Sequence, residues 1–545
     1  MRQFLASALM AAMTFGPLMT PELASAADPS AKARPPYGQP ATPIQHLVII
    51  FQENVSFDHY FGTYPYATNP QGEPRFDAAP GTPGVNGYNN PLLNFNPNLN
   101  PANGNGATNP YRLDRSQAAT NDQDHNYTPE QQAFDGGVMD LFPLYTGVAG
   151  PPPQGPPQQV TTNGLTMGYY DGNTVTAFWN YAQNYAMSDN SYDTNFGPST
   201  PGALNVISGQ TNGVTQVMGN PPVIADGHNG FTLYGDADPI GDVCSSGSQV
   251  QMGGKNIGDV LTNAGVTWGF FNYGFDLTIV NPDNSTGCKR DHTSAVTGVK
   301  KADYIPHHQP FQYYASTANP QHTRPSSVHM IGHNGDAANH QYDTHDFFDA
   351  INAGNFPAVS YLKAPGYQDG HAGYSDPLDE QTFVVDTINF LMQRPEWKST
   401  AVIIAYDDSD GWYDHQLGQI VNSSQTSVDA LTAPGQCGAG APMLAGISAP
   451  AAQGRCGYGP RQPFLVISPY SRQNYVDHTM TDQSSVVRFI EDNWLWNQRI
   501  GGGSFDQVAG PIDGMFTWTL SSPCFRTLIL SDETGTVTQK GCASN

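Results

Sequence analysis

IIFQENVSFDHYFG, residues 49–62, is the stretch on which the fold turns. With Leu47 and Val48 ahead of it, the run Leu47–Phe51 is continuously apolar and rich in β-branched residues. That is the composition of a strand buried on both faces of a parallel sheet. Gln52, Glu53 and Asn54 follow with no Gly or Pro between, so a core strand ends directly in an acid and an amide. Similar apolar runs stand at 357–362 (PAVSYL), 401–406 (AVIIAY) and 464–468 (FLVIS). Helical spacing appears over 379–393, where Val384, Ile388, Leu391 and Met392 share a face. It returns over 485–496, through Val486, Phe489, Ile490 and Trp494. Strands alternating with helices predict an α/β fold whose mainly parallel central sheet is covered on both faces.

The segments between these elements are long. Residues 28–44 are a Pro-rich lead-in, 63–120 are dense in Asn, Pro and Gly, and 147–160 read GVAGPPPQGPPQQV. The chain has 545 residues and a mass of 58.7 kDa, more than one compact core usually supports. Yet it shows no tandem repeat and no clean linker. Its 57 Gly and 45 Pro against 13% charged residues point to long ordered loops. The expectation is one domain over residues 27–545, with large loop insertions. A net charge of −25 and a pI of about 4.7 exclude nucleic-acid binding, which needs Lys and Arg against phosphate. They also argue against broad docking on anionic lipid.

The N-terminus reads MRQFLASALMAAMTFGPLMTPELASAADPS. One Arg, an apolar stretch from Phe4 to Met19 and Ala24-Ser25-Ala26 have the form of a Sec-type signal peptide cleaved after Ala26. Gly16 and Pro17 interrupt the run, which makes a membrane anchor the weaker reading, and no later segment has the length of a transmembrane span. The mature protein is expected in the periplasm or outside the cell, with no protein partner indicated. Cys244, Cys288, Cys437, Cys456, Cys524 and Cys542, an even set in an exported chain, predict three disulfides. Sequential pairing is the simplest arrangement.

In open α/β sheets ligands bind beyond the carboxyl ends of strands. Glu53 and Asn54 leave the first strand there, and AVIIAYDDSDGWYDH places Asp407 and Asp408 at the same position after Tyr406. Either pair alone reads as an ordinary strand-to-loop cap. Adjacent carboxylates repel unless a cation neutralises them. Two such ends make an oxygen-only set for a hard divalent cation.

ENVSFDHYFG resembles the signature of a bacterial phosphoesterase family that contains acid phosphatases of the Francisella type and non-haemolytic phospholipases C. The resemblance runs from about His46 to Trp496. It is carried also by DHNYTPEQQAFDGGVMDLF (124–142), GPSTPGALNVISG (197–209), YIPHHQPFQYY (304–314), HAGYSD (371–376), YDDSDGWYDH (406–415) and the stretch 467–494. It implies an α/β/α sandwich similar to the alkaline phosphatase superfamily. It implies one divalent metal ion (calcium, magnesium or zinc) on Glu53, Asn54, Asp407, Asp408 and Ser199.

The same resemblance implies a nucleophile two residues before a Pro, which is Ser199 in Ser199-Thr200-Pro201, with Thr200 the alternative. The family pattern carries Asn where this chain has Gly202. Without the flanking motifs GPSTPG is simply a turn. His308 and His371 match positions of phosphate contact, His125 contact or protonation of the leaving group, and His307 a neighbour that orients His308. His333, His340, His345 and His415 read as structural, with His415 able to orient Asp407 or Asp408 from behind. The implied activity is hydrolysis of a small phosphate monoester by an exported acid phosphatase, favoured at acidic pH if a protonated His is required. The alternative is a phospholipase C acting on a phospholipid diester. The larger phospholipases C of the family add C-terminal repeats and often a twin-Arg signal, which this sequence does not show. An inert binding protein on the same fold would be expected to have lost Ser199 or the acids, and all are present.

Overall fold

The structure, a computed structural model, describes residues 35–150, 158–448, 450–520 and 524–543. The signal-like segment 1–26 and residues 151–157 of the Pro-rich loop lie outside them. Residues Tyr37–Asn545 form one compact unit.

Its centre is an eight-stranded sheet. In chain order the strands are β1 (His46–Gln52), β2 (Ala186–Ser188), β3 (Trp268–Asn272), β4 (Gln341–Tyr342), β5 (Val359–Lys363), β6 (Thr400–Tyr406), β7 (Phe464–Ile467) and β8 (Tyr475–Asp477). Their spatial order is β4-β3-β5-β1-β6-β7-β2-β8. Every neighbouring pair is parallel except the two made by β7, which runs against both β6 and β2.

The alternation of β1 sorts the core into two layers. Val48 and Ile50 pack with Phe178 and Trp179 of α2 (Thr176–Asn184), Phe347 of α5 (Thr344–Asn352), and Val384 and Ile388 of α6 (Pro377–Met392). Leu47, Ile49 and Phe51 pack with Leu204 and Ile207 of α3 (Ser199–Ser208), Leu261 of α4 (Ile257–Ala264), and Val486 and Ile490 of α7 (Ser484–Trp494). A further short helix, α1 (Tyr127–Phe134), lies in the chain before these. With β6 split in the same way, the sheet is filled on both faces and the fold is an α/β/α sandwich. Each fully buried aliphatic side chain contributes about 1.5–3 kcal/mol, so the strand sequences supply much of the driving force.

The helices and strands expected from periodicity are present with small shifts. The run at 357–362 becomes a strand only from Val359, because Pro357 has no N–H to give to a ladder, and it continues to Lys363. Helix α6 starts where the Asp376 carboxylate accepts the N–H groups of Leu378 and Asp379, with Pro377 in its first turn. The Asn-rich insertion substitutes side-chain hydrogen bonds for regular structure: buried Asn98 donates to Met139 O (2.8 Å) and buried Asn103 to Asp140 O (2.8 Å). The disulfides pair sequentially, Cys244–Cys288, Cys437–Cys456 and Cys524–Cys542.

Candidate active site

Strands β1 and β6 pair in parallel with Gln52 opposite Tyr406, so Glu53 and Asp407 leave the sheet side by side. The Asp407 carboxylate turns both exits: its Oδ1 accepts the N–H groups of Asn54 (2.9 Å) and Asp408 (2.8 Å). Asn54 sits at φ 49°, a left-handed conformation that Asn tolerates better than most residues. Asp408 Oδ1 in turn accepts the N–H of Asp410 (2.7 Å). The third strand end, that of β5, brings Lys363, whose Nζ bonds Glu53 Oε1 and lies 4.7 Å above the Phe51 ring. All five side chains, Glu53, Asn54, Asp407, Asp408 and Lys363, are buried.

Helix α3 delivers Ser199 as its first residue. Ser199 Oγ stands 3.1 Å from Glu53 Oε2 and 3.1 Å from Asp408 Oδ2. Thr200 faces elsewhere: its hydroxyl and its N–H both donate to Asp236 Oδ1 (2.9 Å each). The helix reaches the strand ends this closely because of Gly202. A Cβ there would fall 1.9 Å from the Asp407 carbonyl oxygen and 2.6 Å from its carbonyl carbon. Backbone cannot rotate away as a side-chain tip can, so no side chain fits at 202 without displacing the acidic loop. Gly202→Ala is therefore expected to cost about 1–3 kcal/mol of stability and to lower turnover by at least about tenfold, since small misplacements around reacting groups are expensive. Thermal melts with steady-state kinetics check this; full activity in the variant would show that the close approach does not position the site.

Three of the four predicted site histidines surround this centre. His125 Nε2 lies 3.3 Å from Asn54 Nδ2, and its ring centroid is 5.7 Å from that of His371. His371 stacks on Tyr374 at 4.4 Å, and the Tyr374 hydroxyl donates to Asp369 Oδ2 (3.2 Å). His308 Nδ1 lies 3.2 Å from Glu53 Oε1 and 3.9 Å from Asp369 Oδ2. His307 is the outlier: it faces Asp238 (3.4 Å) and packs edge-on against His308. His415 is not behind Asp407 or Asp408. It pairs with Asp58 (2.5 Å), which also holds the buried guanidinium of Arg461 (3.1 Å). The chain reverses after Asp410, at φ 53°, and Gly411, at φ 67°, and that turn separates His415 from the acids it follows in sequence.

Burial and like charge set the protonation of the centre. Burial, then the Asp407 carboxylate, push Glu53 well above the usual carboxylate range, with Lys363 opposing. Asp408 is pushed up in the same way, by burial and then by Asp407. Asp407 is held below its ordinary value: burial raises it, but Lys363 and the N–H groups of Asn54 and Asp408 win. His125 is raised although burial works against its charge, because Asp408, Asp122 and Asp410 face it. Burial lowers His371 to about 4 and, with Lys363 adding, takes His308 well down. These shifts favour the charged form at His125 and the neutral form at His308 and His371.

Several residues here were not singled out from sequence. Lys363 carried the same signal as Glu53, a polar group at the end of an apolar run. Asp369, pushed up to about 7 by burial, joins His308 to Tyr374. Glu130 on α1 accepts the Gly197 N–H (3.0 Å) and the Ser409 hydroxyl (2.6 Å), tying the loop before Ser199 to the loop after Asp408. No local pattern marks an acid whose two partners lie so far away in sequence. Among the described residues, two of the four groups whose ligand-type atoms cluster closely enough to hold a metal ion lie at this centre: Asp122, His125, His371 and Asp410, and Glu53, His308 and Asp369.

The sequence model of the Phosphoesterase family matches residues 44–496. Phospholipase C A of Mycobacterium tuberculosis is 25% identical over 471 residues, covering 82% of this chain and 72% of that protein. Phospholipase C B of the same organism is 25% identical over 512 residues, covering 90% and 80%. Non-hemolytic phospholipase C of Pseudomonas aeruginosa is 24% identical over 469 residues, covering 83% of this chain and 54% of that protein.

Proposed function

The chain belongs to the phosphoesterase family and is a phosphoric ester hydrolase, and on that footing we propose that it is an exported, metal-dependent acid phosphatase that cleaves phosphate monoesters through a phosphoserine on Ser199. The observation that carries this reading is the Ser199 hydroxyl, 3.1 Å from Glu53 Oε2 and Asp408 Oδ2 at the first turn of a buried helix. The leader over residues 1–26 and a single catalytic domain over 27–545 belong to the same proposal.

The donor set fits a hard divalent cation. Asn54 Oδ1 and Asp407 Oδ2 are buried oxygens with no hydrogen-bond partner, and the carboxylates of Glu53, Asp407 and Asp408 leave two adjacent strand ends with Lys363 opposing their charge. Glu53, Asn54, Asp407, Asp408 and Ser199 would hold the ion. Bound there, it would make the Ser199 hydroxyl easier to deprotonate and offset charge on the phosphate.

The chain's own groups account for the rest. Ser199 Oγ attacks phosphorus in line as the bond to the leaving alcohol breaks, and its proton passes to a neighbouring carboxylate oxygen of Glu53 or Asp408. His125, held charged, donates a proton to the departing oxygen. His308, neutral and flanking, binds a phosphate oxygen through N–H; His371, whose Nδ1–H is given to the Ala372 carbonyl (2.6 Å), binds one through Nε2–H when it takes up a proton; and His307 supports His308. In the second step His125 takes a proton from water as that water displaces the serine, which recovers its proton.

The second reading, a phospholipase C cleaving a phosphodiester, is favoured by the names of the relatives. Among the described residues no helix is long and apolar enough to cross a membrane, so contact with lipid would be at a surface. Purified mature protein assayed on p-nitrophenyl phosphate and p-nitrophenyl phosphorylcholine across pH, before and after chelation, decides. The expected result is a higher kcat/KM on the monoester, an acidic optimum and loss of activity on chelation. Exclusive turnover of the diester would replace this reading with the second.

A further inference from the structure

Over the outer edge of the site lies a cation that the chemistry above does not use. Lys301 sits in the hairpin of Asp291–Thr293 and Lys300–Ala302. Its Nζ stands 3.6 Å above the Tyr374 ring. That ring also stacks on His371, and its hydroxyl is held by Asp369. Tyr374 is therefore held in place between His371 and Asp369. Lys301 is half-buried; burial lowers it below the ordinary lysine value, with the Asp369, Glu53 and Asp122 carboxylates opposing that shift. In a chain with 22 Lys and Arg against 47 Asp and Glu, an ammonium so placed is a scarce group.

Two consequences follow from elementary electrostatics. Above a pH of about 6, where a phosphate monoester has lost its second proton, a monoester next to His371 gains an attraction to Lys301 that a monoanionic diester gains only in part. An aromatic face is also the surface that holds a quaternary ammonium. Here the Tyr374 ring already carries an ammonium, which would repel a second cation. We propose that Lys301, mounted on Tyr374, is a specificity-determining residue that selects dianionic phosphate monoesters and rejects diesters whose headgroup carries a quaternary ammonium. The proposal rests on the reading of the Ser199 pocket as the phosphate site.

The test uses the full mature enzyme and the variants K301M, K301Q and K301R, each checked for melting temperature and metal content. Substrates are p-nitrophenyl phosphate and p-nitrophenyl phosphorylcholine, each assayed on both sides of about pH 6, where the monoester gains its second charge. K301M and K301Q are expected to lower kcat/KM on the monoester about tenfold, the order for losing one charge-assisted contact, mainly through KM. On the phosphorylcholine diester they should leave kcat/KM unchanged or raise it, and K301R should stay near the wild type on both. Parallel losses on both substrates, no change on either, or K301R behaving like K301M would overturn the assignment. Wild-type preference between the two substrates tests the function proposed above. The change in that ratio on substitution tests Lys301, so the two can fail separately.

Discussion

Ser199→Ala is expected to lower turnover of p-nitrophenyl phosphate by at least about a thousandfold while the protein keeps its fold, since losing a nucleophile removes the covalent route and leaves only binding and electrostatics. The hydroxyl lies between two carboxylates and is buried, yet its removal opens only the space of one oxygen. The melting temperature should move little. Thr200→Ala is the matched control. It loses the bond to Asp236, worth about 1 kcal/mol of stability, and it should retain activity within about tenfold, because Asp236 still receives the backbone N–H of residue 200. Acid-quenched enzyme digested after mixing with substrate should yield a phosphopeptide containing Ser199. A Ser199 variant with near wild-type activity beside an inactive Thr200 variant would move the nucleophile by one residue.

Asp407→Ala and Asp408→Ala should each remove both bound metal and activity. Glu53, Asp407 and Asp408 place three carboxylates at two adjacent strand ends, and Lys363 supplies one compensating charge. The imbalance shows in Glu53 and Asp408, both pushed well above the ordinary carboxylate range by burial and by Asp407. A divalent cation relieves that repulsion, so it should stabilise the fold as well as serve the chemistry. For an ion held at 100 times its Kd the linkage amounts to about 2.7 kcal/mol, lost on chelation and visible as a lower melting temperature. Asp408→Asn keeps one oxygen ligand and the shape but loses a charge, so it should retain more metal than the Ala variant. Elemental analysis alongside activity gives the answer. Wild-type protein that is fully active with no stoichiometric divalent metal would overturn the cradle.

What could be read along the chain was whatever depends on neighbours in sequence. The apolar runs that became β1, β5, β6 and β7 and the periodic stretches that became α6 and α7 are local patterns, because burial on two faces or on one leaves its mark within a few residues. From them came the α/β class, and from abrupt polar endings came Glu53-Asn54 and Asp407-Asp408 as partners. That these two ends adjoin follows from the pairing of β1 with β6 across more than three hundred residues, a register set by packing and invisible locally. The choice between Ser199 and Thr200 faces the same limit. Their chemistry is nearly equivalent in sequence, and only the seating of α3 against Asp407 at Gly202 turns one hydroxyl toward the acids and the other toward Asp236. Glu130 and Lys301 went unread because each acts on a group distant in the chain, whereas Lys363 carried a strand-end signal like that of Glu53 and was not drawn from it. The sequence by itself determined the layers, the strand ends and the types of residue available there. The tertiary structure decided which of them meet, because Coulombic and hydrogen-bond energies depend on distances in space that a linear order does not contain.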